Sequence, residues 1–439
     1  MSEATSERTA QAPRIEEIVA RRVERRLPRQ LRGVLSLEDF EPAARRHLPR
    51  PVYAYVAGAT ESGASFLANR EDFAALRFVP RSLAGHTERD QRRTIFGEEY
   101  AHPFGIAPMG LSALAAYDGD VVLARAAQAA RIPAIMSASS LTALERVARE
   151  GGSRWFQAYL PGDDARVEGM VDRVAAAGYQ TLVVTVDVPT NGNREHNVRN
   201  GFDAPMKPSL RLAWQGLTHP AWSIGTALRT LVKHGMPHFE NIDVSRGPPI
   251  VSRDVVRSMR GREGLAWRHI ELIRRRWSGK LVLKGILGAA DTRLAREAGV
   301  DGVIVSNHGG RQLDGAISSV QALPDVIPEA GGMTVMLDCG VRRGTDVLKA
   351  LALGADFVFV GRPFLFAAAI AGEAGVTHAI DTLGAEVDRN MTLLGIRSLS
   401  ELTSEFVREH NLAAAGGRAP SRAGADVGEA RSAPPAGSV

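Results

Sequence analysis

Between residues 104 and 361 the chain alternates short runs of branched and aromatic apolar residues with stretches whose apolar positions recur three or four apart. The runs are Phe104–Pro108, Pro133–Met136, Trp155–Tyr159, Thr181–Val186, Leu281–Lys284, Gly302–Ser306, Thr334–Asp338 and Asp356–Gly361. Each is apolar almost throughout, the pattern of a strand buried on both faces of a parallel sheet. The stretches between them have helical spacing, so the chain reads as repeated βα units. Their middles lie roughly 22 to 32 residues apart, with one exception. Eight such units predict an α/β fold, a closed (β/α)8 TIM barrel, with an open doubly wound sheet as the alternative. After the fourth run the interval widens to about 98 residues, which predicts a large insertion over roughly 200–260, of low regularity.

The ends read differently. Residues 1–35 form an N-terminal extension in which Ile15, Ile18, Val19 and Val23 recur at helical spacing within an Arg-rich stretch, as in a short amphipathic helix or a solvated arm. Residues 413–439 are Ala, Gly, Pro, Ser and Arg with almost no large apolar side chain. Such a segment cannot offset the entropy of ordering, and a disordered tail is expected there. Residues 36–412 remain for the barrel domain.

Composition narrows the function. The 54 basic and 49 acidic residues leave a net charge of +5, and only five of the basic residues are lysines. No recognition motif accompanies this charge, so nucleic acid is not an expected partner. A single cysteine, Cys339, excludes an internal disulfide framework and a zinc site built on paired cysteines, and no metal site is expected. Glu3, Glu7, Glu16 and Glu17 interrupt any signal-like apolar run, and no stretch has the ~18 to 20 apolar residues of a membrane span. A cytoplasmic enzyme is expected. The insertion carries nine Lys or Arg against four acids between Lys207 and Glu263, together with Trp214 and Trp222. Two readings stay open for it: peripheral contact with the inner face of the cell membrane, and an active-site lid.

A barrel of this kind carries its chemistry at the C-terminal ends of the strands. Nearly every run ends in a polar or glycine residue: Gly110, Ser137, Gln157 with Tyr159, Thr185 with Asp187, Lys284, Ser306 with His308, Asp338 with Arg342, and Gly361 with Arg362. The sixth loop, Ser306 to Asp314, sets an imidazole and a guanidinium three residues apart, His308 and Arg311. An imidazole is the usual base near neutral pH and a guanidinium grips a carboxylate with two hydrogen bonds. Asp187 is placed to orient His308, and Arg194 to supply a second carboxylate clamp. Asp338 to Thr345 and Gly361-Arg362-Pro363, after runs seven and eight, have the look of a phosphate cradle. Lys284 at the end of run five either stabilises a developing anion or, as a Schiff-base amine, would make the protein a flavin-free aldolase.

These residues closely resemble the FMN-dependent L-2-hydroxy acid dehydrogenase and oxidase family from about residue 36 to 410. The motifs are SNHGGRQLDG at 306–315, VYAYVAGA at 52–59, APMG at 107–110, FQAY at 156–159, TVDVPTNGNRE at 185–195, LVLKGI at 281–286, DCGVRRGTD at 338–346 and ALGADFVFVGRP at 352–363. The resemblance implies oxidation of an L-2-hydroxy acid, mandelate- or lactate-like, to the 2-keto acid. It implies FMN held by Pro108, Met109, Gly110, Ser137, Gln157, Thr185, Lys284, Ser306, Asp338, Gly340, Arg342, Gly361 and Arg362, with Lys284 stabilising the reduced flavin. The substrate carboxylate would be clamped by Arg194 and Arg311, with Tyr53 and Tyr159 hydrogen-bonding it. His308 would be the base, flavin N5 the hydrogen acceptor, and Asp187 the support of the imidazolium.

Residues 191–202, 218–222 and 234–237 look most like the mandelate dehydrogenase branch of that family, whose counterpart of the insertion binds a membrane and passes electrons to quinone. Gly110 stands where glycolate oxidases carry alanine and leans towards a dehydrogenase, although an oxidase using O2 is the alternative. Ser139 stands about where those oxidases carry a pocket tryptophan, which leaves room for a larger or aromatic side chain. Cys339 occupies a position that is usually Gly or Ser. By family analogy a homotetramer is expected.

Overall fold

The computed structural model describes residues 27–202, 209–251 and 261–409. The proposed amphipathic stretch around Ile15 to Val23 and the tail from 413 lie outside the described residues. Eight parallel strands form one sheet: β1 (Phe104–Ile106), β2 (Ile135–Ser137), β3 (Trp155–Ala158), β4 (Thr181–Thr185), β5 (Lys280–Ile286), β6 (Gly302–Val305), β7 (Thr334–Leu337) and β8 (Phe357–Val360). From β2 onward each pairs with the next in sequence, and β8 pairs back onto β1 through Val358↔Phe104 to Val360↔Ile106. A parallel bridge between Ile106 and Ala134 completes the ring. This order has no reversal, so the closed barrel stands and the doubly wound alternative falls.

Strand alternation places the site. On the inward face Ile135, Trp155, Val183, Val282, Ile304 and Met336 pack with Phe357 and Phe359 into one buried cluster. Because side chains of a strand repeat every two residues, the next inward position along each strand is Ser137, Gln157, Thr185, Lys284, Ser306 or Asp338. The apolar layer thus floors the barrel and the polar layer above it opens to the C-terminal mouth. An antiparallel hairpin of Arg93–Ile95 and Glu98–Tyr100 plugs the opposite end, where Trp155 Nε1 donates to Tyr100 Oη at 3.3 Å.

The helices that matter for the site are α1 (Arg50–Ala57), α2 (Leu210–Thr218), α3 (Arg229–His234), α4 (Gly344–Ala352) and α5 (Arg362–Leu394). Helix α5 is long and apolar, but its backbone leaves helical geometry at Ala371 and Gly372 and most of its apolar side chains are buried in the core. Within the N-terminal extension, Leu31 and Val34 are already buried, and His378 meets the Val34 carbonyl at 2.9 Å.

The insertion departs from the expected low regularity. From Leu210 to His234 it is almost continuously helical, passing from α2 through Pro220–Trp222 and a wider π-type turn at Ser223–Leu228 into α3. Gly216, Pro220 and Gly225 break the pattern that sequence periodicity detects, yet Trp222 pins the segment by donating from Nε1 to the Leu114 carbonyl at 2.7 Å. Leu210, Trp214, Leu217, Ile224, Leu228 and Val232 all lie exposed along this run.

Candidate active site

A cleft opens at the C-terminal mouth of the barrel. Pro108, Met109, Gly110, Gln157, Tyr159, Thr185, Arg194, Lys284, His308, Arg311, Asp338, Gly340, Arg342, Gly361 and Arg362 all line it. Ser137 and Ser306 stand behind this lining. Ser137 Oγ donates to Gln157 Oε1 at 2.9 Å, which leaves the amide nitrogen facing the cleft. Ser306 Oγ accepts from Lys284 Nζ at 2.7 Å and from the His308 backbone N–H at 3.0 Å.

Asp187 Oδ1 lies 2.9 Å from His308 Nδ1, and Tyr159 Oη lies 3.4 Å from Nε2 on the other side of the ring. Burial pushes the imidazole below its ordinary range, with Lys284 and Arg194 acting in the same direction, while Asp187 opposes them. His308 is therefore neutral at pH 7 and ready to accept a proton at Nε2. Burial would raise the Asp187 carboxyl, but His308 and Lys284 outweigh it and hold the group below the usual carboxylate range. His308 has a left-handed backbone with φ 59°, a strained state for a non-glycine residue that two following left-handed glycines, Gly309 and Gly310, continue.

Lys284 Nζ pairs with Asp338 Oδ2 at 3.0 Å. Burial works against its charge, but Asp338 and Asp187 outweigh it and raise the amine above its ordinary value. A Schiff-base lysine needs a lowered value to be a free nucleophile, so the aldolase alternative loses its chemical basis. Cys339, also left-handed, accepts at Sγ from the Gly309 N–H at 3.0 Å and joins loop six to loop seven. Burial pushes its thiol up to about 12, so it stays protonated.

The tyrosine expected from the first motif is the wrong one of two. Tyr53 does not line the cleft: its hydroxyl donates to Glu41 Oε1 at 3.0 Å and its ring stacks on Phe366. Two positions along α1 is about 200° of rotation, so Tyr55 faces the other way, into the cleft, with the Arg311 guanidinium 5.1 Å from its ring centre. Several other residues were not legible. Gln312 bridges loops four and six, accepting from Arg194 Nη2 at 2.7 Å and donating to the Thr190 carbonyl at 2.9 Å. Asn69 and Asn307 exchange two side-chain hydrogen bonds and hold loop six from behind. Arg262, counted in the insertion as one of its basic residues, reaches the cleft and stacks on Tyr159.

The phosphate cradle takes shape where loops seven and eight meet α4 and α5. Asp346 Oδ2 accepts from the backbone N–H groups of Arg342 and Arg343 at 2.9 and 3.0 Å and fixes the turn before α4. A Cβ at Gly340 would stand 2.0 Å from the Asn69 carbonyl oxygen, so only glycine fits. Burial lowers Arg342 to about 10, helped by Arg70, and Arg362 to about 9, helped by Arg311 and Arg342. Neither makes an ion pair among the described residues, and two such buried guanidiniums side by side suit a phosphate.

The model of the FMN-dependent dehydrogenase family matches residues 44–409. The chain belongs to that family. It is 35% identical to an (S)-mandelate dehydrogenase of Pseudomonas putida over 381 residues, 87% of this chain and 95% of the relative. It is 38% identical to an L-lactate dehydrogenase of Ectopseudomonas mendocina, over 84% of this chain and 97% of the relative. Among solved structures, the monotopic membrane protein (S)-mandelate dehydrogenase superposes with a TM-score of 0.77 at 34% identity, covering 86% of this chain and 100% of that one.

The protein is thus an FMN-dependent oxidoreductase, and its cleft fits the cofactor. Gln157 Nε2 and Thr185 Oγ1 are buried without a hydrogen-bond partner among the described residues. Two lone donors over the barrel mouth, flanked by Lys284 and by a cationic cradle, match the carbonyl edge and the phosphate of a flavin mononucleotide.

Proposed function

We propose that the protein oxidises an L-2-hydroxy acid to the corresponding 2-keto acid, and the observation that carries this is the His308–Asp187 pair set between Tyr159 and two arginines. Arg194 and Arg311 bind the substrate carboxylate. Each is held by backbone or amide oxygens of the protein, Arg194 by the Arg311 carbonyl and Gln312, Arg311 by the Val56 and Gly58 carbonyls, and neither makes an ion pair among the described residues. Burial and Arg194 lower Arg311 to about 10. Tyr55 and Tyr159 orient the bound acid.

His308 takes the hydroxyl proton at Nε2 as the substrate's C–H bond breaks, and Asp187 holds the imidazolium that results. Bound FMN supplies the acceptor for the α-hydrogen and its two electrons. Asp338 keeps Lys284 protonated, and the Lys284 ammonium in the barrel mouth would offset negative charge gained by a bound flavin. Gly110 and Ser139 put no bulky side chain in the wall beside the reacting carbon, which favours mandelate-like over very small acids.

For the electron acceptor, the exposed apolar run from Leu210 to Val232 supports a peripheral seat on the cytoplasmic face of a membrane, where a quinone is at hand. A homotetramer remains part of the proposal by family analogy. The test is an absorption spectrum of the flavin-loaded protein during anaerobic addition of (S)-mandelate and then L-lactate. Bleaching by either, abolished in His308→Gln, is the expected result. A bound flavin that neither acid bleaches would sink the reading.

A further inference from the structure

The cleft holds one more cation than the reaction uses. Arg194, Arg262, Lys284, Arg311, Arg342 and Arg362 line it, against a single lining carboxylate, Asp338. Asp338 is engaged by Lys284, and Asp187 stands behind His308. On the reading above, Arg342 and Arg362 meet the flavin phosphate, while Arg194 and Arg311 meet the substrate carboxylate. Arg262 is left without an anion.

Its surroundings make that remainder specific. Arg262 is 7% exposed, its Nη2 has no hydrogen-bond partner, and it makes no ion pair among the described residues. The guanidinium lies 4.4 Å from the ring centre of Tyr159, whose hydroxyl faces His308, so it sits on the substrate's side of the cleft and away from the phosphate cradle. Burial lowers it from its ordinary value, with Arg166 adding to the effect. A second cavity of about 430 Å³ shares Tyr159, Thr185, Val188 and Arg262 as walls and has Leu265 and Trp267 among its others. Asp291 borders that cavity without pairing with Arg262. A buried guanidinium with a free N–H in the wall of a substrate cleft is an anion site whose ligand comes from outside the chain.

We propose that Arg262 binds a second carboxylate at the far end of the substrate's side chain, so that the preferred substrates are 2-hydroxy dicarboxylic acids. The proposal rests on the 2-hydroxy acid reading and adds one residue to it. The first carboxylate is held by Arg194 and Arg311, the reacting carbon lies by His308, and the side chain runs past Tyr159 to Arg262. An uncharged side chain leaves Arg262 unpaired in the closed complex and binds less tightly.

The experiment follows anaerobic flavin reduction in the full-length, FMN-loaded protein with two acids of equal chain length, (S)-2-hydroxyglutarate and (S)-2-hydroxypentanoate. The expected half-saturating concentration is about ten- to a hundredfold lower for the dicarboxylate. In Arg262→Met that ratio falls to near one, and in Arg262→Lys it is partly kept. Tyr159 loses a stacking partner in both variants, so the ratio between substrates is the readout and not the absolute rate. Should Arg262→Met fail to fold, the wild-type protein with (S)-2-hydroxyglutarate and its 5-methyl ester gives the same comparison. A wild-type ratio near one, or a ratio that survives in Arg262→Met, overturns the proposal while leaving the 2-hydroxy acid reading intact. Failure of these acids and of mandelate and lactate to reduce the bound flavin overturns both.

Discussion

A Cβ on Gly285 would stand 2.6 Å from the Cβ of Asp187, closer than two side chains approach. Gly285 sits at a register shift of β5, between Lys284 and Ile286, with φ 110°, a conformation open to glycine and closed to other residues. The bulge leaves Lys284 aimed into the barrel and opens the space in which Asp187 reaches His308. Gly285→Ala should therefore act through Asp187. We expect flavin reduction to slow by about 10²-fold, the usual cost of displacing a catalytic group by ~1 Å, with FMN still bound. Stopped-flow reduction together with the flavin spectrum checks this. Loss of flavin with the rate would point to collapse of the strand instead.

The electrostatics of the same pair set the pH dependence. His308 accepts a proton only when neutral, and its value lies below the ordinary imidazole value, so kcat/KM should be flat at neutral pH. It should fall as pH drops through an apparent value below ~6.5. Asp187 is the group that raises His308, so Asp187→Asn should move the acid limb to still lower pH. It should also reduce the plateau by about 10²- to 10⁴-fold, since the imidazolium loses its counter-ion. A limb that moves to higher pH would contradict the pairing.

What was legible in the sequence follows a physical line. The eight strands were readable because a strand buried on both faces must be apolar throughout, and the polar residues at their ends stood out against that background. Ser137, Gln157, Thr185, Lys284, Ser306 and Asp338 fell into place for this reason. Tyr53 and Tyr55 could not be separated by motif, since the choice depends on how α1 is rotated on its neighbours, and that is decided by Phe366 and Glu41, far away in sequence or outside the motif. Gln312, Asn69 and Asp346 act by holding loops, and a single polar residue in a loop carries no signal of what it holds. Arg262 was hidden for a further reason: it is one of many arginines of the insertion, of which Arg211, Arg229 and Arg246 are exposed, and only the return of the chain to the barrel mouth buries it.

Close approach also governs the wall beside the reacting carbon. A Cβ on Gly110 would stand 2.7 Å from the Ser139 Cβ and 3.2 Å from the Tyr55 hydroxyl. Gly110→Ala should displace both and lower kcat/KM about tenfold, the larger part appearing in KM. Ser139→Gly removes the nearer obstacle, so the double variant should recover part of the loss, with a coupling of about 0.5 to 3 kcal/mol in a double-mutant cycle. Strict additivity of the two changes would show that the wall is not shared.

The run from Leu210 to Val232 makes the membrane reading measurable. Trp214 is 63% exposed, Leu217 74%, Ile224 66% and Val232 72%, on helices fastened to the barrel through Trp222. Apolar side chains in this number are costly to leave in water, and each gains about 1.5 to 3 kcal/mol when fully buried. Arg211, Arg229 and Lys233 border them and would meet anionic headgroups. The wild-type protein should float with vesicles containing phosphatidylglycerol, and more of it should release at high salt as the charged share is screened. Replacing Trp214, Leu217, Ile224 and Val232 together with serine should leave the protein in the aqueous fraction. None of the four lines the cleft, so anaerobic flavin reduction should continue while electron transfer to a membrane-dissolved quinone is lost. Wild-type protein that stays in the aqueous fraction at low salt would remove the membrane from the proposal and leave the exposed run to another partner.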